Sequence, residues 1–225
     1  GHPMKTIYLD NNATTKVAPE VLEAMLPYFS ELYGNPSSMH AFGGQVAKKL
    51  REAREQVAAL IGATADEIIF TGCGTESDNA AIHSALTTRS EQRHIVTSRV
   101  EHPAIKVLGA HLAGRGYRVT ELPVDKNGLL DLEPYVESLT PDTAMVSLMW
   151  ANNETGVIFP VEKAAELAHE RGILFHTDAV QSTGKIPIDM KRNAIDMISI
   201  SGHKLHAPKG IGILYVRKGT KFSPF

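Results

Sequence analysis

Apolar positions along the chain switch between two periods. Val46, Leu50, Ala53, Val57 and Leu60 are spaced 4, 3, 4 and 3 apart, one stripe on a helix, with Lys48, Lys49, Arg51, Glu52 and Glu55 on its outer face. Gly62 stands where a C-terminal cap belongs. Ile68-Ile69-Phe70-Thr71 then reads as a short buried strand running into glycines. The alternation continues with a helix from Thr75, a strand at Ile95–Thr97 and a helix over Pro103–Ala113 with proline in its first turn. A strand at Arg118–Thr120, a helix over Leu132–Leu139, a strand at Ala144–Met149 and a helix over Val161–Arg171, closed by Gly172, come next. Ile173–His176, Met197–Ile200 and Ile211–Val216 read as further strands. Strands separated by helices of about ten residues predict crossover units and a mainly parallel sheet with helices on both faces, in one α/β domain.

Composition narrows this picture. The chain has 225 residues, 43% hydrophobic and 21% charged, with 23 Lys or Arg against 25 Asp or Glu, a net charge of −2. That is ordinary globular composition, and it excludes a strongly basic nucleic-acid binder. No apolar run approaches the ~20 residues of a membrane helix, so no membrane partner is expected. Gly1-His2-Pro3 before Met4 reads as a cloning scar. The single cysteine, Cys73, permits no internal disulfide and fits a reducing compartment, so the expected location is cytoplasmic.

Parallel α/β sheets bind ligands at the carboxyl ends of their strands. Five of the predicted strands lead directly into polar residues there. These are Gly72-Cys73-Gly74-Thr75, Glu101-His102, Asn152-Asn153-Glu154, Asp178 with Gln181 just beyond, and Ser201-Gly202-His203-Lys204. Each has a plain alternative. Gly74-Thr75 opening a helix suits a phosphate, and equally a tight turn with Thr75 as N-cap. His102 suits a loop histidine, Asp178 a helix cap, and Lys204 a solvated loop residue. Cys73 suits a small residue packed in a turn. The glycines match neither dinucleotide nor triphosphate fingerprints.

Together the residues make one chemical sense. A lysine can form a Schiff base with an aldehyde cofactor, and Asp178, 26 positions earlier on a neighbouring strand end, can keep a pyridine nitrogen protonated. A helix N-terminus can take a phosphate and an aromatic ring can stack on the cofactor. Lysine and acidic partner are the recognisable pair of a pyridoxal 5'-phosphate (PLP) site.

The ordered segments Tyr8-Leu9-Asp10-Asn11-Asn12-Ala13-Thr14-Thr15, Gly34-Asn35-Pro36-Ser37-Ser38, Thr75-Glu76-Ser77-Asp78-Asn79, Glu101-His102-Pro103, Asn152-Asn153-Glu154-Thr155-Gly156, His176-Thr177-Asp178-Ala179-Val180-Gln181 and Ser201-Gly202-His203-Lys204 resemble the cysteine desulfurases. Leu205-His206-Ala207-Pro208-Lys209-Gly210 is most similar to their NifS branch. The resemblance runs from about Ile7 to the last residue. It implies the large domain of a fold type I PLP-dependent transferase, with a mainly parallel seven-stranded sheet, in a homodimer. An N-terminal arm (1–16) would precede the PLP-binding domain (17–225).

The resemblance also implies roles. Lys204 carries PLP and moves protons, Asp178 pairs with the pyridine nitrogen, and His102 stacks on the ring and assists acid–base steps. Gln181 and Asn153 lie near the phenolic oxygen, with Asn153 also near the substrate carboxylate. Gly74, Thr75, Ser201 and His203 hold the phosphate, and Asn11, Ala13 and Thr14 line the substrate channel. The expected reaction takes L-cysteine to L-alanine and passes persulfide sulfur to a scaffold or sulfur-acceptor protein for iron–sulfur or nitrogenase cluster assembly. Family members are longer. Their loop cysteine, the arginine for the substrate carboxylate, most of the small domain and a phosphate contact from the partner subunit would fall beyond Phe225, so this chain alone is expected to release little sulfide.

Three other readings compete: a selenocysteine lyase or aminotransferase of the same fold, a non-catalytic dimerising fragment, and a metal hydrolase using His203, His206 and Asp178. A scaffold has no physical need to keep His102, Asp178 and Lys204 together. The hydrolase reading lacks any HExxH pairing.

Overall fold

The computed structural model describes residues 6–9, 44–152, 156–180, 184–202 and 211–223. Strands are β1 (Thr6–Leu9), β2 (Ile68–Thr71), β3 (His94–Ser98), β4 (Arg118–Leu122), β5 (Thr143–Met149), β6 (Leu174–Asp178), β7 (Gly184–Pro187), β8 (Met197–Ser201) and β9 (Gly212–Val216). Helices are α1 (Gly44–Ile61), α2 (Gly74–Thr88), α3 (Pro103–Ala113), α4 (Leu132–Ser138) and α5 (Val161–Glu170). The seven-stranded sheet has the order β2-β9-β8-β6-β5-β3-β4. β9 runs antiparallel to both neighbours, so the other six strands point one way. The expected mainly parallel sheet is therefore present. Helices α2 to α5 carry the crossovers between successive strands from β2 to β6, whereas among the described residues the connection from β6 to the parallel β8 holds the strand β7 and no helix.

Alternation within the strands sorts the core into two layers. Ile68, Phe70, Val96, Val146, Leu148, Phe175, Ile198, Ile200, Ile213 and Tyr215 face one side, against Ala53, Val57 and Ile61 of α1 and Ala164, Ala165 and Ala168 of α5. Ile69, Ile95, Met145, Leu174, Met197 and Leu214 face the other, against Ala80, Ala81 and Ala85 of α2 and Leu108 and Leu112 of α3. Both faces are covered, so the central strands are buried along their whole length. Alanines on α2 and α5 let these helices lie close to the sheet.

α1 follows its predicted stripe, with Ala53 and Val57 buried and Lys48, Arg51, Glu52 and Glu55 exposed. Arg54 departs from it: the guanidinium is buried over the Phe70 ring, 5.4 Å from the centroid. Gly62 has φ +70°, the left-handed conformation of a helix-terminating glycine. Two strands escaped the sequence reading. β1 and β7 form a separate antiparallel pair, Thr6 opposite Pro187 and Leu9 opposite Gly184. β1 lies in the expected N-terminal arm, and its apolar residues run straight into Asp10-Asn11-Asn12, without the glycine-bounded apolar run that marks β2. Among the described residues no helix is long and apolar enough to cross a membrane.

Candidate functional site

The carboxyl ends of β2, β3, β5, β6 and β8 lie along one edge of the sheet, because these five strands share a direction. Asp178 closes β6 and is buried. Its Oδ1 accepts the Val180 N–H at 2.8 Å, which holds the carboxylate against its own turn. His102 follows β3 and caps α3: its Nδ1 accepts the Ala104 N–H at 3.1 Å. An accepting Nδ1 places the ring proton on Nε2. One side-chain atom each of Asp178, His102 and Asp78 lies within 4.8 Å of the others.

β2 delivers the helix start. Cys73 is the N-cap of α2 and makes no side-chain cap bond, so Thr75 is not the N-cap that the alternative reading required. The first-turn N–H groups of α2 have no partners within the helix. The turn beneath is rigid: Thr71 Oγ1 donates to Cys73 O at 2.8 Å and Gly72 N donates to Glu76 Oε2 at 2.8 Å. A Cβ on Gly74 would come within 2.7 Å of both γ carbons of Val180. Glycine therefore lets the α2 N-terminus pack directly onto the residue two beyond Asp178. Thr75 is exposed at this rim, and Ser201, half-buried, ends β8 nearby in the sheet. Cys73 is exposed, not packed in its turn as expected.

Beneath Asp178 lies a polar layer the sequence reading did not single out. Asp78, on the sheet-facing side of α2, is buried, with a carboxylate oxygen within 4.8 Å of one on Asp178. Burial, then the adjacent Asp178 charge, push its carboxyl well above the ordinary range. Glu101 is also buried. Burial raises it to about 8, against the Ser98 hydroxyl, which donates to Glu101 Oε2. His176, held in the sheet, has Nδ1 2.8 Å from Ser147 Oγ and Nε2 2.8 Å from Ser199 Oγ. Burial lowers its pKa to about 3, so the ring is neutral. The available signal was a polar residue in the middle of an apolar run on three strands: Ser147, His176 and Ser199.

This arrangement fits PLP. Asp178 offers a buried anion, the α2 N-terminus offers amides beside a glycine cradle, and His102 offers a ring between them. A divalent cation is less well suited, because burial and the adjacent Asp178 charge raise the Asp78 carboxyl and metal ligands must be deprotonated. Asn11, Ala13, Thr14, Asn153, Gln181, His203 and Lys204 lie outside the described residues.

Comparison with known proteins agrees with this geometry. The chain is 60% identical over 221 residues to a cysteine desulfurase of Trichormus azollae, covering 98% of this chain and 55% of that one. It is 58% identical over 222 residues to the cysteine desulfurase NifS of Azotobacter vinelandii, again covering 98% and 55%. The chain thus spans about half the length of the curated relatives it matches. A solved NifS-like protein is 41% identical with a TM-score of 0.76, over 97% of this chain and 61% of that one. A structure of SspA in complex with cysteine is 38% identical with a TM-score of 0.75, over 97% and 64%. The family model for aminotransferase class V matches residues 7–225, nearly the whole chain, and the chain belongs to that family.

Proposed function

We propose that a protein carrying this chain is a PLP-dependent cysteine desulfurase. The observation that carries the reading is Asp178: a buried carboxylate at a strand end, grouped with His102 and backed by the N-terminus of α2. Relatives named cysteine desulfurase, and a similar structure holding cysteine, support the substrate. PLP bound here would supply an electron sink for charge developing beside the substrate amino group.

The chain's own residues would do the following. Asp178 presents an anion to the pyridine nitrogen and keeps its proton in place. The amides of Gly74 and Thr75, with Ser201 and His203, hold the phosphate at the positive end of α2. His102, fixed by Ala104, stacks on the ring with its Nε2 proton available. Lys204 binds the cofactor covalently and moves protons, while Asn153 and Gln181 orient ring and substrate. Asn11, Ala13 and Thr14 border the channel. In balance, an enzyme thiol and L-cysteine give L-alanine and an enzyme persulfide, whose outer sulfur passes to a thiol of an acceptor protein. A homodimer and a scaffold or sulfur-acceptor partner belong to the same proposal.

The test gives the PLP-loaded full-length protein carrying this chain, in excess dithiothreitol to release persulfide sulfur, L-cysteine, L-selenocysteine, or an amino acid with a 2-oxo acid, and measures alanine and sulfide. Alanine and sulfide from L-cysteine, falling by about 10³-fold or more in Asp178→Asn, is the expected result. Transamination with no sulfide, or turnover of selenocysteine alone, would overturn it.

A further inference from the structure

Asp78 does nothing in the reaction just described, yet it is among the most buried acids in the structure, 1% exposed. It lies on the second turn of α2, on the face turned to the sheet. Its neighbours come from two strands. Asp178 at the end of β6 brings a carboxylate oxygen within 4.8 Å of one of its own, and Ser199 of β8 has its Oγ 2.8 Å from His176 Nε2. His176 Nε2 of β6 stands 3.6 Å from its Oδ1. His176 is in turn flanked by Ser147 of β5 and Ser199 of β8, both at 2.8 Å.

Two adjacent buried carboxylates cannot both be ionised, and a carboxylate–carboxylate hydrogen bond requires one to bring the proton. A neutral imidazole has one donor and one acceptor. These rules give the network a direction. The sense that ends on Asp178 has Ser147 donating to His176 Nδ1, His176 Nε2–H donating to Ser199, the Ser199 hydroxyl turned toward Asp78, and Asp78 donating to Asp178. Each group passes its hydrogen toward the strand end. Bonds aligned in one sense polarise one another. Glu101, the third buried acid nearby, is also largely neutral near pH 7 because burial raises it. Burial thus raises both Asp78 and Glu101, which leaves Asp178, at the strand end, as the carboxyl placed to carry the charge.

We propose that Asp78 is a positioning residue for the cofactor: it donates its carboxyl proton to Asp178, and the Ser147–His176–Ser199 row behind it fixes that bond, so that Asp178 faces the pyridine nitrogen as one oriented anion. This rests on the PLP reading above. Without the donor, burial would lead Asp178 to keep a proton of its own, and a neutral acid leaves the pyridine nitrogen unprotonated. An amide at position 78 can replace the donor; a methyl group cannot.

The experiment loads the protein with PLP labelled at the pyridine nitrogen. It reads the protonation of that nitrogen by solid-state NMR and the PLP affinity by absorbance titration, for wild type, Asp78→Asn, Asp78→Ala and Asp178→Asn. Expected are a protonated nitrogen in wild type and in Asp78→Asn, with affinities within about twofold. In Asp78→Ala the nitrogen signal shifts toward the unprotonated position and PLP binds about tenfold more weakly, the scale of a lost hydrogen bond to a charged group. A signal unchanged in Asp78→Ala, or equally altered in Asp78→Asn, would overturn the proposal. If Asp78→Ala does not fold, Ser199→Ala decides by the same two readouts: a shifted signal supports the network and an unchanged one overturns it. Asp178→Asn tests the underlying reading separately. If it leaves both readouts as in wild type, the PLP site itself is misassigned, whatever Asp78 does.

Discussion

Val180 occupies the space that a side chain on Gly74 would need. Its two γ carbons stand 2.7 Å from where that Cβ would lie, and a valine so close to Asp178 cannot move without moving the turn. Gly74→Ala should therefore cost about 1–3 kcal/mol, the range for overpacking, and weaken PLP binding with it. Val180→Ala should recover much of that loss in the double variant, because the two sites share one clash. Denaturant midpoints of the two single variants and the double variant check this, and simple additivity would show that the clash is not the cause. Gly74 was legible as a candidate because glycine before a helix has few roles. Its partner was not, since only folding brings residue 180 against residue 74. Asp178 and His102 stood out by position at strand ends, and Asp78 did not. A single aspartate inside a helix looks like an ordinary surface residue until the helix face is known.

Elements are joined by a few polar fixtures as well as by apolar layers. Buried Tyr135 on α4 donates its hydroxyl proton to Ala164 O of α5 at 2.6 Å, which binds a seven-residue helix to a longer one. Arg217, just after β9, donates to the carbonyls of Met190, Asn193 and Ile195 and to Asn193 Oδ1, each at 2.9 Å. It gathers the loop that leads into β8 and anchors the antiparallel strand beside it. Arg217→Ala should lose about 2–4 kcal/mol, since several acceptors lose their donor together. Arg217→Lys should recover little, because one ammonium cannot match the planar fork. A denaturation series in which the lysine variant equals wild type would argue against that account. Helices α1, α3 and α5 showed in the periodicity. The pairing of β1 with β7 did not, because it joins segments about 180 positions apart and neither carries a run of apolar residues like that of β2.

Across the whole molecule, buried acids couple stability to pH. Glu101 has a folded pKa of about 8 against 4.5 for the free group, so the native state binds its proton more tightly than the unfolded chain. Its contribution is fully present below about pH 4.5 and is lost as pH rises through 8. Asp78, raised by burial and by Asp178, acts in the same sense, and His102 lies within the same group. Glu101→Gln should flatten the decline between those pH values, by an amount on the order of a few kcal/mol. Unfolding free energies measured across this range test the sign. A wild-type protein that gains stability from pH 5 to pH 8, relative to the glutamine variant, would show that Glu101 is ionised when folded.

Local periodicity was enough to reveal the alternating helices and strands, the α/β class and the strand-end residues Asp178, His102 and Gly74. These depend on near neighbours: a helix repeats every 3.6 residues and a strand every two. The reversal of β9, the pairing of β1 with β7, and the burial of Asp78, Glu101 and His176 could not be read that way. They depend on contacts between residues far apart in the chain, such as Asp78 with Asp178, a hundred positions later. Whether a carboxyl is charged, or a histidine neutral, follows from what packs around it, and that environment exists only once the sheet and its helices have closed over it.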